Sequence, residues 1–211
     1  MSLVFIKEKD KDCKLGMWEI TEDYEELAKE VSLDDKERER LETFRNYARK
    51  LEFLSVRALL QIMIDSRARI VYNRTNKPYL RDNSYRISIS HSGNYTAILL
   101  SRTKRVGVDM EKMTHRISRI AHYFINPDEK ITPDEKKMRY HLYIHWCAKE
   151  TLYKICDKNG LNFRKNLIIC PFEPEDEGII QGYVDNEMIN KENYTMHYVR
   201  MDDYVLVWCC K

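Results

Sequence analysis

The chain has 211 residues, of which 43% are hydrophobic and 33% are charged, so it can bury one good-sized core or two small ones. Its 36 basic and 34 acidic side chains nearly cancel and leave a formal charge of +2. No long block of one sign stands out, which argues against a nucleic-acid-binding surface. No run approaches the roughly 18 apolar residues of a membrane-spanning helix. The start lacks the features of a signal peptide, so we expect a cytoplasmic protein.

Hydrophobic periodicity predicts strands followed by helices in the first part of the chain. The predicted elements are strands at residues 3–7 and 17–20, a short helix at 21–31 capped by Thr21, and a long helix from 34 to about 65. A turn at residues 73–78 follows. The segments YRISIS and YTAILLS then predict a hairpin that bends at Gly93 and Asn94. Residues 106–110 predict a third strand, and three successive strands favour an antiparallel sheet.

In the first half, two short strands are followed by helices and then by further strands. The second half loosely repeats the order of helices and then strands. Helices are predicted at residues 115–124 and 134–155, with Asn126 and Pro127 as the break between them. Strands are predicted at residues 167–170, 179–184, 194–201 and 204–209. The repeated order predicts an α+β protein with an N-terminal half at 1–105 and a C-terminal half at 106–211. A duplication of one half is a hypothesis, because the two halves share little identity.

Two carboxylates stand out in the predicted strand VGVDMEKM. Residues i and i+2 of a strand project from the same face, so Asp109 and Glu111 would lie side by side. Like charges that close repel unless a cation lies between them, and all-oxygen ligands suit magnesium better than zinc. Taken alone, such a pair is more typical of a strand that ends at the surface.

The predicted helix WCAKETLYK supplies further charges. Trp146, Glu150 and Lys154 are spaced by four and share one helix face. Glu150 could add a third carboxylate, and Lys154 could meet a phosphate oxygen. By itself the spacing of Glu150 and Lys154 is more typical of an ordinary Glu–Lys pair on an exposed helix face.

A phosphate would have to be held by side chains and a metal ion, because the chain contains neither a GxxxxGK nor a GxGxxG segment. The candidate phosphate ligands are Lys77, His91, Arg40, Lys50, Arg57 and Lys154. For Lys50 and Arg57 a surface role on a helix is the alternative. His91 lies between two serines at the predicted bend, where a solvent-facing histidine is the alternative.

Four segments in this order, NKPYL, ISISHSGNY, VGVDMEK and WCAKETLYK, resemble those of the Sfp-type 4′-phosphopantetheinyl transferases. Members of that family show G-K-P, S-H-S, G-[IV]-D-[IV]-E and W-x-x-K-E-x-x-x-K in the same succession. The resemblance implies a fold of two similar α/β halves related by pseudo-twofold symmetry. It also implies transfer of 4′-phosphopantetheine from coenzyme A to a serine of an acyl or peptidyl carrier protein, with release of 3′,5′-ADP.

The resemblance also implies roles for individual residues. Mg²⁺ would be held by Asp109, Glu111 and Glu150. Lys154 would contact the pyrophosphate of coenzyme A, Lys77 would lie along the adenine, and Ser90 and His91 would face the nucleotide phosphates. Glu150 is also implied as the general base, with Glu111 or a metal-bound water as alternatives.

Two positions depart from the family pattern. Asn76 replaces the usual glycine before Lys-Pro. At the position where the family has a basic residue that binds phosphate, this chain has Glu52, and either Arg49 or Lys50 close by could replace it. Lys50 and, further upstream, Arg40 are the predicted phosphate ligands.

Two other functions compete with the transferase. One is a catalytically silent module that only binds coenzyme A; the other is a different Mg²⁺-dependent phosphotransferase. The partner implied by the resemblance is an acidic carrier protein, for which residues near Arg116 to Phe124 could supply a basic or apolar strip. An ordinary amphipathic helix is the alternative for this stretch, and the sequence slightly favours it. We expect a monomer, with no nucleic-acid or membrane partner.

Overall fold

The computed structural model of the chain describes residues 2–158, 160–186 and 189–211. In it, helix caps and the buried faces of strands mark where the elements begin and end. The chain forms two compact units, Met1–Lys104 and Arg105–Lys211. Each combines helices with an antiparallel sheet, and the α+β class predicted from the sequence is confirmed. The pseudo-twofold relationship between the halves stays a prediction. None of the described helices combines the length and the apolar character needed to cross a membrane.

The first unit is a four-stranded antiparallel sheet in the order β1-β2-β6-β5, with a separate β3-β4 hairpin and three helices. Its long helix α3 packs on β2 and β6 and is the centre of the hydrophobic core. The elements are β1 (Leu3–Asp10), β2 (Cys13–Glu19), α1 (Tyr24–Glu30), α2 (Asp35–Thr43), α3 (Tyr47–Met63), β3 (Ile70–Tyr72), β4 (Pro78–Leu80), β5 (Arg86–Ser92) and β6 (Tyr95–Ser101).

The second unit is a five-stranded antiparallel sheet in the order β7-β11-β10-β9-β8, covered by two helices. Its core is built around the helix α5, which packs mainly on β7 and β11. The elements are β7 (Val106–Lys112), α4 (Ile117–Phe124), α5 (Glu135–Cys156), β8 (Leu167–Ile169), β9 (Glu177–Asn186), β10 (Ile189–Met201) and β11 (Tyr204–Cys210).

Most predicted elements are confirmed, but the long helix predicted at residues 34–65 is wrong. It is two helices, because the Asn46 side chain accepts hydrogen bonds from the backbone N–H groups of Ala48 and Arg49 and starts a new helix. Such a cap satisfies N–H groups that would otherwise lack a partner. The predicted cap of the preceding short helix is also wrong, since Asp23 rather than Thr21 forms the capping box of α1 with Glu26.

The third strand of the expected antiparallel run, β7, does not join the hairpin sheet of β5 and β6. It pairs with β11, nearly a hundred residues later, in a register that sets Asp109 opposite Val207. Local periodicity identifies a strand but not its partner, which explains the error. The strand that carries the two carboxylates is therefore an edge strand of the second unit.

Candidate functional site

The carboxylates of the second unit lie on β7 among buried apolar neighbours. Val108 and Met110 are fully buried, and Asp109 is only 4% exposed. Glu111 is half-buried and follows Asp109 on the same face of the strand. A carboxylate as buried as Asp109 needs charged or hydrogen-bonded partners, and these come from α5.

Helix α5 approaches β7 closely at Gly107. A Cβ atom at this position would lie 2.5 Å from the carbonyl oxygen of Thr151, too close for any other residue type without a backbone shift. Gly107 therefore allows the last turns of α5 to lie directly against the carboxylate strand. This contact explains why the glycine of VGVDMEK precedes the two acidic residues.

Lys154 and Glu150 reach the carboxylates from α5. The Lys154 ammonium lies 2.7 Å from Asp109 Oδ1 and donates to the Val108 carbonyl oxygen at 2.9 Å. Burial raises the pKa of Glu150 to about 7, and the charges of Asp109 and Glu111 act in the same direction while Lys154 opposes them. The structure thus brings Lys154 into contact with Asp109 and places Glu150 where the charges of Asp109 and Glu111 act on it. The roles that the resemblance implies for these four residues stay predictions.

The donor chemistry of this group fits a hard divalent cation. Within the described ranges, no set of three or more acidic, histidine or cysteine side chains is already gathered closely enough to hold a metal ion. Asp109, Glu111 and Glu150 nevertheless supply carboxylate oxygens close enough to act on one another's charge, and such oxygens are the ligands that Mg²⁺ prefers. Their mutual repulsion would be relieved by a bound cation.

A second buried ion pair supports α5 beside the site. Lys149, fully buried, donates to Glu129 Oε2 at 2.7 Å and to the carbonyl oxygens of Phe124 at 2.6 Å and Phe163 at 3.1 Å. Sequence reasoning did not find Glu129, because it lies in the segment between the two helices with no repeating pattern. The one available signal was a lysine inside an otherwise buried stretch of α5.

Two histidines continue this buried polar stripe of α5. His145 is fully buried, and neither ring nitrogen has a hydrogen-bond partner among the residues that the structure describes. Burial lowers its pKa well below the usual value, and the nearby His141 and Lys149 act in the same direction. His145 Nδ1 lies 3.8 Å from Glu129 Oε1, beyond hydrogen-bond distance, so burial outweighs this carboxylate and the neutral ring is favoured.

We expect acid to destabilise the fold through His145. Its folded pKa is lowered, so below about pH 6.5 the unfolded chain binds more protons than the native protein and stability falls as the pH falls. The loss should reach roughly 1–2 kcal/mol between pH 7.5 and 5. Urea unfolding of the wild type and of His145→Phe at both values measures it. An equal pH dependence in the two proteins would contradict this role of His145.

His91 belongs to a charged cluster of the first unit. Arg49 donates to His91 Nε2 at 2.7 Å, so Nδ1 carries the proton of a neutral ring and faces Glu52 at 3.5 Å. Arg49 also pairs with Glu52 at 2.7 Å. Ser90, one residue earlier on β5, is buried. The cation that the structure brings to His91 is Arg49.

The other predicted phosphate ligands lie elsewhere in the first unit. The Lys50 ammonium lies 5.4 Å from the ring centre of Tyr24, and the Arg40 guanidinium lies 4.0 Å from that of Tyr72. Lys77 precedes β4, and its backbone N–H donates to Asn73. The phosphate-binding roles of Arg40, Lys50 and Lys77 stay predictions.

Asn76 fills the place of the family glycine because it adopts a left-handed backbone. Its φ angle is +61°, a region in which asparagine is tolerated better than most residues. The turn before Lys77 is therefore kept without the glycine.

Comparisons with known proteins agree with this geometry. Residues 105–209 match the family model described as the 4′-phosphopantetheinyl transferase superfamily, which is nearly the whole second unit. A curated protein of Synechocystis sp., named as a candidate 4′-phosphopantetheinyl transferase, is 30% identical over 148 aligned residues. The alignment covers 62% of this chain and 60% of that relative, so the chain spans about three fifths of the relative's length.

Proposed function

Since the chain belongs to the 4′-phosphopantetheinyl transferase superfamily, we propose that it transfers 4′-phosphopantetheine from coenzyme A to a serine of a carrier protein. The serine Oγ forms a bond to the β-phosphorus of coenzyme A. The bond between that phosphorus and the oxygen that bridges it to the 5′-phosphate of the nucleotide breaks, and 3′,5′-ADP leaves. The observation that carries the proposal is the group of Asp109, Glu111, Glu150 and Lys154 inside the segment that matches the family model.

Asp109, Glu111 and Glu150 would hold Mg²⁺. A bound Mg²⁺ neutralises charge on the pyrophosphate and orients it for in-line displacement. The buried position of Asp109 would fix one ligand, while Glu111 and Glu150 are half-buried.

Glu150 and Lys154 would act on the reacting groups. Glu150 would take the proton of the serine hydroxyl, as the resemblance implies, with Glu111 as the alternative. The pKa of about 7 for Glu150 belongs to the metal-free protein, and a bound cation would lower it. Lys154 is half-buried and would turn its ammonium from Asp109 to a pyrophosphate oxygen. The charge-assisted contact would stabilise the leaving nucleotide.

The first unit would bind the nucleotide. His91 and Ser90 would face its phosphates, and Arg49 beside His91 adds a cation that can bind phosphate in a bidentate way. Lys77 would lie along the adenine, as the resemblance implies. Arg40 and Lys50 remain predicted contributors.

The surface of α4 fits an acidic carrier protein. The stretch from Lys112 to Pro127 contains no acidic residue, and Arg116 and Arg119 are exposed. After these cations in the chain, Ile120 is 38% exposed and Tyr123 is 70% exposed. Exposed apolar side chains flanked by positive charge are suited to an acidic partner with an apolar contact.

We expect Arg119→Glu to lower kcat/KM for the carrier protein by about 10-fold or more, because it sets like charges against each other. Binding of coenzyme A, measured by calorimetry, should be unchanged. Arg67→Glu, a charge reversal on a side chain that is 90% exposed in the first unit, is the matched control. An unchanged kcat/KM in Arg119→Glu would contradict docking on α4.

Binding and transfer assays separate this function from its two alternatives. A transferase should bind coenzyme A more tightly than ATP and modify an apo carrier protein. Preference for ATP would favour another Mg²⁺-dependent phosphotransferase. Tight coenzyme A binding without transfer to several unrelated carriers would favour a silent binding module, against which the intact set of carboxylates argues. The cytoplasmic location and the monomeric state remain predictions.

A further inference from the structure

The indole of Trp146 lies between the aromatic interior of the second unit and the carboxylate of Glu111. We propose that Trp146 is a positioning residue that orients Glu111 toward the metal ion, and that Lys149 fixes the backbone of the two phenylalanine residues whose rings pack on Trp146. This inference rests on the proposed metal-dependent function. It assigns a role to Trp146 and Lys149, two residues of WCAKETLYK that are neither metal ligands nor phosphate ligands in the proposed reaction.

The first link is a hydrogen bond between two different elements. Trp146 Nε1 on α5 donates to Glu111 Oε1 on β7 at 3.4 Å. Trp146 and Glu111 are both half-buried. An indole N–H can only donate, so it holds one oxygen of the Glu111 carboxylate in a defined direction. Such outer-shell hydrogen bonds set the orientation of metal ligands.

The second link holds the indole ring. Its edge-on partner is Phe124 at the end of α4, with ring centroids 5.1 Å apart, and Phe163 packs on it at 5.6 Å. Phe124 is 1% exposed. A tryptophan packed against two rings has few alternative rotamers, and its N–H direction is therefore defined.

The third link ties both phenylalanines to one cation. The ammonium of Lys149 donates to the carbonyl oxygens of Phe124 and Phe163, the same two residues whose rings pack on Trp146. Lys149 is one residue before Glu150 on α5, so its position also fixes the turn of helix that carries the third carboxylate.

The fourth link anchors the cation. Lys149 pairs with Glu129, whose Oε2 also accepts from the Asn126 backbone N–H and whose Oε1 accepts from the Ile169 N–H, each at 2.7 Å. Each oxygen of this buried carboxylate thus has a defined partner. A continuous chain of contacts leads from Glu129 through Lys149, the two phenylalanine residues and Trp146 to Glu111.

The test compares Mn²⁺ binding to the wild type and to Trp146→Phe, measured by electron paramagnetic resonance of free Mn²⁺ in the absence of coenzyme A. Phenylalanine keeps an aromatic ring between Phe124 and Phe163 but lacks the N–H donor. We expect the Mn²⁺ dissociation constant to rise about 10-fold or more, the range found for lost outer-shell partners. Trp18→Phe is the matched control, because Trp18 is buried in the first unit and its Nε1 has no partner among the described residues.

A kinetic readout separates positioning from folding. In Trp146→Phe the Mg²⁺ concentration for half-maximal transfer should rise by a similar factor, while kcat at saturating Mg²⁺ should recover. If Trp146→Phe does not fold, benzothienylalanine at position 146 preserves the two-ring shape and lacks the N–H donor, and the same rise is expected.

The outcomes are distinguishable. A dissociation constant within twofold of the wild type, in a folded variant that lacks the donor, would overturn the positioning role and leave the proposed function intact. Failure of the wild type itself to bind Mn²⁺ would overturn the proposed metal site and the positioning role together.

Discussion

Glu150→Gln is expected to reduce phosphopantetheine transfer by at least about 10²–10⁴-fold, the usual contribution of a general base. The substitution removes a proposed metal ligand as well as the proposed base, while the amide keeps the size of the side chain. The measurement is the single-turnover rate of carrier-protein modification at saturating coenzyme A and Mg²⁺.

Stability separates this loss from misfolding. Because the pKa of Glu150 is raised to about 7 in the fold, the native protein holds a proton that the unfolded chain releases near pH 4.5, and stability falls as the pH rises between these values. Metal-free Glu150→Gln should therefore be at least as stable as the wild type at pH 8. Glu135→Gln on the exposed first turn of α5 is the matched control and should keep full activity. Full activity in Glu150→Gln would show that the site assignment is wrong.

Lys149→Met is expected to lower the free energy of unfolding by about 3–5 kcal/mol, because it leaves the buried carboxylate of Glu129 without its cation. The carbonyl oxygens of Phe124 and Phe163 lose a donor as well. Urea unfolding at pH 7.5 measures the change.

Two further variants test the cause of that loss. Lys136→Met, the same substitution on an exposed position of α5, should change stability by no more than about 0.5 kcal/mol. Adding Glu129→Gln to Lys149→Met removes the uncompensated charge and should restore part of the stability. A loss below about 1 kcal/mol in Lys149→Met would mean that the pair contributes little.

The sequence was sufficient to find the carboxylates and the helix that faces them. Strand alternation predicted Asp109 and Glu111 on one face of a strand, and helical spacing predicted Glu150 and Lys154 on one face of a helix. In the structure Lys154 contacts Asp109, and the charges of Asp109 and Glu111 act on Glu150. Local periodicity carries this information because it depends only on neighbouring residues. The linked segments then identified the family that the comparisons support.

Features that depend on distant partners could not be read in the same way. The pairing of β7 with β11 and the contacts of Lys149 with Glu129 and two carbonyl oxygens join residues far apart in the sequence. The break of the long predicted helix at Asn46 shows a different limit. Its apolar spacing continues through the break, and only the capping side chain ends one helix and begins the next.

The sequence also left open whether Arg49 or Lys50 is the phosphate ligand on α3. Arg49 and Lys50 are adjacent on α3, but successive residues of a helix point in different directions. Arg49 reaches His91, whereas Lys50 lies against Tyr24. Composition and spacing alone could not choose between them.

The most direct test of the proposed function is the intact mass of an apo acyl carrier protein after incubation with this protein, coenzyme A and Mg²⁺. We expect a gain of one phosphopantetheine group, and no gain when EDTA replaces Mg²⁺. No gain with several unrelated apo carrier proteins, while coenzyme A still binds tightly, would contradict transferase activity.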